Sequence, residues 1–292
     1  MITIFTTPKD FLDIFNIIQT NALNSWRAIS PSIQIIILGN SYGSKDAAKV
    51  IDAEYVPDIK CSSEGTPILS DLFNIAQKRA KYDILAYVNA DIILPKNLLS
   101  AIHLLDNKFN RFLMVGHRWD MDVEQILDFD IKEVTSDFWD MARKISQKHG
   151  CSGIDYFVFT KGEFNNIPNF VIGRWGWDNW LIWKARRSML PIIDASDDIQ
   201  VIHQNHSYKF HNIRSIEDSK SGDEFKNNYK LSYNKSLNIL DATYKISDGK
   251  ISSKTARDEK IRYWKRLPNI FPELSFFIKI YRNIFFRVRN IN

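Results

Sequence analysis

The chain has 292 residues, of which 45% are hydrophobic and 25% charged, the composition of an ordinary soluble globular protein. Cys61 and Cys151 stand alone, so neither a disulfide framework nor a zinc site is indicated. The N-terminus lacks the basic and apolar regions of a signal peptide, and no stretch approaches the ~18 apolar residues of a membrane span. We therefore expect a cytoplasmic protein.

The formal net charge of +5 is unevenly distributed along the chain. Residues 250–292 contain five Lys and six Arg against three acidic residues, a net charge of +8, which leaves −3 for residues 1–249. A mildly acidic body with a basic tail is not the pattern of a nucleic-acid-coated surface. No nucleic-acid partner is expected.

The first half of the chain alternates short apolar runs with stretches of helical periodicity. Strands are expected at 2–7, 33–38, 55–56 and 83–88, and helices at 10–25, 67–80 (with Thr66 as the N-cap) and 96–107. Right-handed crossovers between such strands give a Rossmann-like, mostly parallel sheet flanked by helices. The predicted class is therefore α/β.

The second half has a mixed pattern. Strands are expected at 112–116, 155–160, 191–194 and 199–203, with helices at 137–148 and after the turn at 176. Residues 219–228 are polar and predicted to be the least ordered segment. We divide the chain into a domain at 1–210 and a C-terminal extension at 211–292 that carries a basic, aromatic helix.

Polar residues follow three of the predicted strands at the point where each ends. They are Thr6 and Thr7, Asn40 after Gly39, and the triplet Asn89-Ala90-Asp91. The carboxyl ends of parallel strands open on one edge of the sheet, and ligands bind there. We expect these residues to converge.

Asp91 is the first candidate for chemistry, because a carboxylate at a strand end can bind a hard divalent cation. A simple turn acid is an equally open reading. His203 and His206 follow the last predicted strand and can complete a metal site, although a lone His is more often a satisfied polar residue. A continuing strand alternates faces, so only one of the two is expected near Asp91.

The segment Trp175-Gly176-Trp177-Asp178-Asn179 places one carboxylate among aromatic side chains at the start of a helix. Aromatic faces stack on sugar rings, and a carboxylate beside them can deprotonate a hydroxyl group. The helix N-terminus would lower the pKa of Asp178 and so its basicity, and only burial of the carboxylate would raise that pKa again. Trp180 and Trp183 are interpreted as core residues of the same helix.

Together, the order of elements, the Asn89-Ala90-Asp91 triplet, the Trp-Gly-Trp-Asp turn and the late His resemble nucleotide-sugar glycosyltransferases of the GT-A fold. The resemblance covers about residues 1–210. It implies that Asp91 binds a Mn²⁺ or Mg²⁺ ion that carries the donor diphosphate, with His203 or His206 as a further ligand. Asn89 stands where the family usually has the first Asp of a DxD triplet, which puts the metal dependence in question.

The resemblance further implies that Asp178 is the base of an inverting reaction on a UDP- or GDP-sugar. The strand-end residues Thr6, Thr7, Asn40 and Asn89 then belong to the donor side. The acceptor is expected to be a glycan or lipid-linked hydroxyl, contacted by Trp175, Trp177, Asn179 and Tyr156. For Tyr156, a place in a core strand is about as good a reading.

Two other classes stay open. A nucleotidyltransferase would show a glycine-rich basic loop after the first strand, where this chain has Thr6-Thr7-Pro8-Lys9. A non-catalytic carbohydrate-binding protein would keep the sheet without turnover. The basic, aromatic segment at 260–289 predicts peripheral membrane contact, with a helix packed on the domain as the alternative.

Overall fold

The computed structural model describes residues 1–206, 222–278 and 280, and its main element is a large mixed sheet. The described strands, in chain order, are β1 (Thr3–Thr6), β2 (Gln34–Leu38), β3 (Glu54–Val56), β4 (Ile84–Val88), β5 (Ile92–Ile93), β6 (Leu113–Val115), β7 (Arg118–Met121), β8 (Gln147–Lys148), β9 (Tyr156–Thr160), β10 (Ile192–Asp194), β11 (Val201–Gln204), β12 (Tyr244–Ser247) and β13 (Lys250–Ser253).

Nine of these described strands form the main sheet in the order β13-β12-β10-β6-β9-β4-β1-β2-β3. The pairs within β4-β1-β2-β3 and β6-β10-β12 are parallel, whereas β9 runs antiparallel to both β4 and β6. The predicted α/β class with a mostly parallel sheet is confirmed. The polar ends of β1, β2 and β4 therefore lie on neighbouring strands, as the sequence predicts.

Helices cover both faces of the sheet. They are α1 (Asp13–Arg27), α2 (Ser44–Val50), α3 (Leu69–Arg79), α4 (Leu98–Asp106), α5 (Lys132–Ile145), α6 (Trp177–Arg187), α7 (Asp223–Ser232) and α8 (Arg257–Ile270) among the described residues. Strand residues alternate between two cores. Ile4 packs in one core with α1, α2 and α4, and Phe5 packs in the other with α3 and α6.

A second, smaller sheet, β5-β11-β7-β8, sits beside the end of β4. β11 runs antiparallel to β5, with His203 opposite Ile92. The buried side chain of Gln204 fastens this pairing: its Nε2 donates to the carbonyls of Ile18 (2.7 Å) and Asp91 (3.1 Å), and its Oε1 accepts from Asn21 (3.0 Å). The end of β11 is thus held against Asp91.

Two predicted helices are displaced, and the structure has short elements that were not predicted. α3 begins at Leu69, because Pro67 and Ile68 form β-bridges with Cys61 and Val171 instead of a capped helical turn at Thr66. The structure adds α2, β5, β7 and β8, which are too short for a periodic pattern to mark. The helix predicted at 137–148 starts earlier and ends earlier, as α5.

The polar segment predicted to be least ordered contains α7, so that prediction is wrong over residues 222–228; residues 219–221 lie outside the described part. Asn228 holds α7 in place, because its side chain accepts from the Val171 N–H and donates to the Val171 carbonyl, both at 3.0 Å. Glu224 adds an ion pair with Arg174 at 2.8 Å. Tertiary hydrogen bonds thus order a sequence of low hydrophobicity.

The region predicted as a C-terminal extension contributes to the main sheet, since β12 pairs with β10 and β13 closes the edge as a hairpin. The division of the chain at residue 210 stays a prediction. The pairing of β12 with β10 joins residues from both sides of that division. Of the predicted basic, aromatic segment, residues 279 and 281–292 lie outside the described part. No helix among the described residues has the length and apolar character to span a membrane.

Replacing Gln204 with Met tests the fastening of β11. The variant loses three buried hydrogen bonds, each worth ~1 kcal/mol, so the free energy of unfolding should fall by about 3 kcal/mol. Urea denaturation measures this change. Gln147→Met, an exposed position in β8, is the matched control and should change stability by less than ~0.5 kcal/mol. Equal effects in the two variants would contradict the fastening role.

Candidate active site

Asp91 lies just beyond β4, where the chain turns into β5. The Ile92 N–H donates to the Asn89 carbonyl at 3.1 Å and closes this turn. The Asn89 N–H donates in turn to the carbonyl of Asp155, the residue that precedes β9, at 3.0 Å. The turn holds the Asp91 side chain at 21% exposure, facing His203 in β11 and His206 just after it.

Both histidines lie close to Asp91. Oδ2 of Asp91 is 3.3 Å from Nε2 of His206 and 3.7 Å from Nε2 of His203. The prediction that only one of them would be near is therefore wrong. The physical reason is that β11 ends at Gln204, so the chain turns before His206 and strand alternation no longer separates the two rings.

The three side chains fit a metal ion. Their donor atoms all lie within 4.8 Å of one another. Oδ1 of Asp91 is inaccessible to solvent and accepts no hydrogen bond from the described residues, so it has a lone pair to offer. One carboxylate with two imidazoles suits Mn²⁺ better than Mg²⁺, which prefers oxygen ligands.

The charge of Asp91 is secured by its neighbours. Burial alone would raise the pKa of Asp91, but the hydrogen bond from His206 and the charges of His203 and Lys9 lower it to about 2. Asp91 is therefore a carboxylate at any physiological pH.

Asp120 on β7 lies next to one of the two histidines near Asp91. Its Oδ1 lies 3.0 Å from Nδ1 of His203, which leaves Nε2 of that ring facing Asp91. Asp120 also contacts Nδ1 of His149 at 2.6 Å and Nε of Arg118 at 3.0 Å. The Asp120–His203 contact is of ion-pair length without hydrogen-bond geometry, because neither Oδ1 of Asp120 nor Nδ1 of His203 has a hydrogen-bond partner among the described residues.

Arg118 connects this group to the other side of the site. Its guanidinium binds Asp155 at 2.8 Å, and the second oxygen of Asp155 accepts from the Asn89 side chain at 2.7 Å. Sequence reasoning missed Arg118 and Asp120 as site residues. The sequence signal that could have indicated them is the alternation Arg118-Trp119-Asp120-Met121, which puts both charged residues on one face of a short strand.

Asp178 is the second residue of α6, after Gly176. Gly176 has φ of +110°, and a Cβ there would lie 2.6 Å from Oγ of Ser232, so glycine is required. Oδ1 of Asp178 is inaccessible and accepts no hydrogen bond from the described residues.

The electrostatic balance at Asp178 favours basicity. Burial, assisted by the charge of Asp155, raises the pKa of Asp178 to about 6, even though backbone N–H groups at the start of α6 lower it. Burial therefore affects the pKa of Asp178 more strongly than the N-terminus of α6 does. A carboxylate with a pKa near 6 is ionised at neutral pH and is a stronger base than an exposed one.

The residues predicted on the acceptor side fall into two groups. Trp175 is 47% exposed, and its ring lies 6.1 Å from that of Tyr229 on α7. Trp177, Tyr156 and Asn179, in contrast, are buried. Only Trp175 of the four presents a surface to an acceptor.

Each of the buried three has a packing role. The Trp177 ring packs on Tyr87 at 5.5 Å, and the side chain of Asn179 donates to the Leu237 carbonyl. Tyr156 is fully buried in the core. Trp180 is a core residue, and Trp183 packs against the same core, as predicted.

On the predicted donor side, Asn40 is exposed, Thr7 and Asn89 are half-buried, and Thr6 is fully buried. Two cations that the sequence did not single out also belong here. Burial lowers the pKa of Lys9, the charge of Asp91 raises it, and the charge of Arg174 lowers it, so the three groups are electrostatic neighbours.

Comparison with known proteins supports the fold. No protein-family model matches the chain, and no curated protein is significantly similar in sequence. The structure of S. aureus TarS 1-349 in complex with UDP-GlcNAc aligns with 93% of this chain and 72% of that chain, at 9% identity and a TM-score of 0.51. On this likeness, the chain has the GT-A fold of nucleotide-sugar glycosyltransferases.

Two further alignments cover less of their chains. S. aureus TarS 1-349 in complex with UDP aligns over 41% of this chain and 36% of that chain, with 13% identity and a TM-score of 0.33. The mannosyltransferase PcManGT from Pyrobaculum calidifontis, in complex with GDP-Man and Mn²⁺, aligns over 72% and 58%, with 14% identity and a TM-score of 0.44.

The raised pKa of Asp178 gives a prediction that needs no substrate. The folded pKa of about 6 exceeds the ordinary value of 3.8, so folding favours the protonated form. That stabilisation is complete below pH 3.8 and is lost as the pH rises through 6. Asp178→Asn should therefore match the wild type near pH 4 and exceed it at pH 7.5, by up to ~3 kcal/mol.

Thermal unfolding between pH 4 and 8 measures this difference. Asp106→Asn, at an exposed position, is the control and should follow the wild type throughout. An offset between Asp178→Asn and the wild type that does not change with pH would show that the carboxylate is not held in a desolvated position.

Proposed function

We propose that this protein is a glycosyltransferase that moves a sugar from a nucleoside-diphosphate donor to an acceptor hydroxyl. The observation that carries the proposal is a carboxylate–bis-histidine cluster after β4, together with a half-buried carboxylate whose pKa is raised in part by Asp155, the residue that binds the turn before Asp91. Asp91, His203 and His206 form the first, and Asp178 is the second. The GT-A fold supports the same reaction class.

The donor is a UDP- or GDP-sugar whose diphosphate lies between the metal cluster and the cations Lys9 and Arg174. A bound Mn²⁺ or Mg²⁺ would neutralise charge on the departing diphosphate. Lys9 and Arg174 donate to the phosphate oxygens, and their charges complement a diphosphate. Asn89, Thr7 and Asn40 line the adjacent strand ends and contact the nucleoside.

Asp178 accepts the proton of the attacking acceptor hydroxyl. As that oxygen bonds to the anomeric carbon, the bond from this carbon to the diphosphate oxygen breaks, and the nucleoside diphosphate leaves with the electron pair. A single displacement from the face opposite the leaving group inverts the anomeric configuration. Asp178 suits this role because it is ionised at neutral pH and remains basic.

The acceptor is a glycan or a lipid-linked sugar. Trp175 precedes Asp178 by three residues and keeps an exposed ring beside that of Tyr229, which is 48% exposed. Two neighbouring exposed aromatic faces next to the base suit the apolar face of a pyranose ring.

The C-terminal segment supports contact with a membrane surface. Phe276 and Phe277 are each 67% exposed, in a region where basic residues are in excess. Exposed aromatic side chains among cations suit the interface of an anionic bilayer. The protein would then act as a peripheral enzyme at the inner face of the membrane, on an acceptor held there.

The proposal is tested by presenting UDP- and GDP-sugars with Mn²⁺ to the wild type, Asp178→Asn and Asp91→Ala. Asp178→Asn keeps the shape and loses the base, so turnover should fall by a factor on the order of 10² to 10⁴ with donor affinity unchanged. Asp91→Ala should lose Mn²⁺-dependent nucleotide binding. Calorimetry measures binding, and release of the nucleoside diphosphate measures turnover.

Asp106→Asn serves as the exposed control and should behave as the wild type. Near-normal turnover of Asp178→Asn removes the carboxylate from the mechanism. Binding without turnover in the wild type identifies a carbohydrate-binding protein, and a product that retains the donor configuration by NMR contradicts a single displacement.

A further inference from the structure

A cavity of about 240 Å³ lies between α6, α8 and the chain at residues 240–243. Arg186 on α6 contributes to its wall. This residue is eight positions beyond Asp178, an axial distance of ~12 Å along the helix. The cavity is therefore separate from the site around Asp91 and Asp178, although one helix contributes to both.

Cations dominate the wall of this cavity. The five basic residues are Arg186, Lys254, Lys260, Arg262 and Arg266, and the two acidic residues are Asp241 and Glu259. A concave surface lined by one sign of charge concentrates ions of the opposite sign.

The ion pairs within and beside the cavity wall do not neutralise all of its positive charge. Asp241 binds Arg262 through contacts of 2.6 and 2.8 Å, and Arg266 approaches the same carboxylate at 3.8 Å. Lys254 pairs with Asp194, outside the cavity wall, at 3.2 Å. Counting Asp194, five cations face three carboxylates, so two positive charges are left over.

Arg186 adds a more specific indication. Its Nε is inaccessible to solvent and has no hydrogen-bond acceptor among the described residues. Its guanidinium packs over the ring of Tyr263 at 4.9 Å, and burial lowers the pKa of Arg186. Because Arg186 is half-buried and lines the cavity, an oxyanion there can accept hydrogen bonds from the accessible part of its guanidinium.

We propose that this cavity is a second anion-binding site and that it takes a phosphate group. Two surplus positive charges match a phosphate mono- or dianion, and guanidinium groups bind phosphate with good geometry. The phosphate comes from a soluble phosphate compound or from the headgroup of an anionic lipid. This inference does not depend on the sugar-transfer reaction.

The surroundings are compatible with either source. Arg187 binds Glu273 at 2.5 Å and the Ile270 carbonyl at 3.1 Å, which fastens the chain after α8 to α6. The exposed rings of Phe276 and Phe277 follow directly on this fastened segment. A lipid would engage the cavity and these rings together, whereas a soluble phosphate would engage the cavity alone.

The test compares two double variants of α8 that remove the same charge. Lys260→Gln with Arg266→Gln changes the cavity wall. Arg257→Gln with Lys265→Gln changes the same helix outside it. Binding of inorganic phosphate is measured by calorimetry in EDTA, so that no divalent cation brings phosphate to Asp91. Cosedimentation is measured with phosphatidylglycerol vesicles and with phosphatidylcholine vesicles.

The cavity variant should bind at least tenfold more weakly than the wild type in at least one arm, and the control should stay within twofold. Phosphate binding without vesicle binding assigns a soluble source, and phosphatidylglycerol-specific cosedimentation assigns the headgroup. No binding in either arm, equal losses in both double variants, or full binding by the cavity variant overturns the proposal. If circular dichroism shows that the double variant does not fold, the single variant Lys260→Gln replaces it in the same binding measurements.

Discussion

The pairing of β5 with β11 is the constraint on which the candidate site depends. Asp91 stands at the start of β5, and His203 and His206 stand at the end of β11, more than a hundred residues later. Gln204 stabilises this pairing, because both its backbone N–H and its side chain donate to the Asp91 carbonyl. The proximity of Asp91 to the two histidines therefore follows from strand pairing and a buried amide.

The second constraint is electrostatic. The charge of Asp155 raises the pKa of Asp178, and Arg118 forms an ion pair with Asp155 at 2.8 Å. Asp91 has its pKa lowered by imidazole and ammonium groups, and Asp178 has its pKa raised by burial. The two carboxylates therefore differ in basicity, which is the difference that the proposed roles of Asp91 as a metal ligand and Asp178 as a base require.

Part of this site could be predicted from the sequence. Asp91 was found because an apolar strand ends before it, and Asp178 because it interrupts an aromatic turn. The side-chain direction of Trp177 could not be predicted, since an aromatic residue at a helix start reads the same whether it faces solvent or the sheet. The joint presence of His203 and His206 was missed because a pattern does not mark where a strand stops.

We propose that Asp91, His203 and His206 form one metal site. Anomalous X-ray diffraction from crystals soaked in Mn²⁺ and a nucleoside diphosphate shows where the ion binds. We expect an anomalous peak within ~2.3 Å of an Asp91 carboxylate oxygen and of Nε2 of at least one of the two histidines. A Mn²⁺ peak elsewhere, with these three side chains uninvolved, would contradict it.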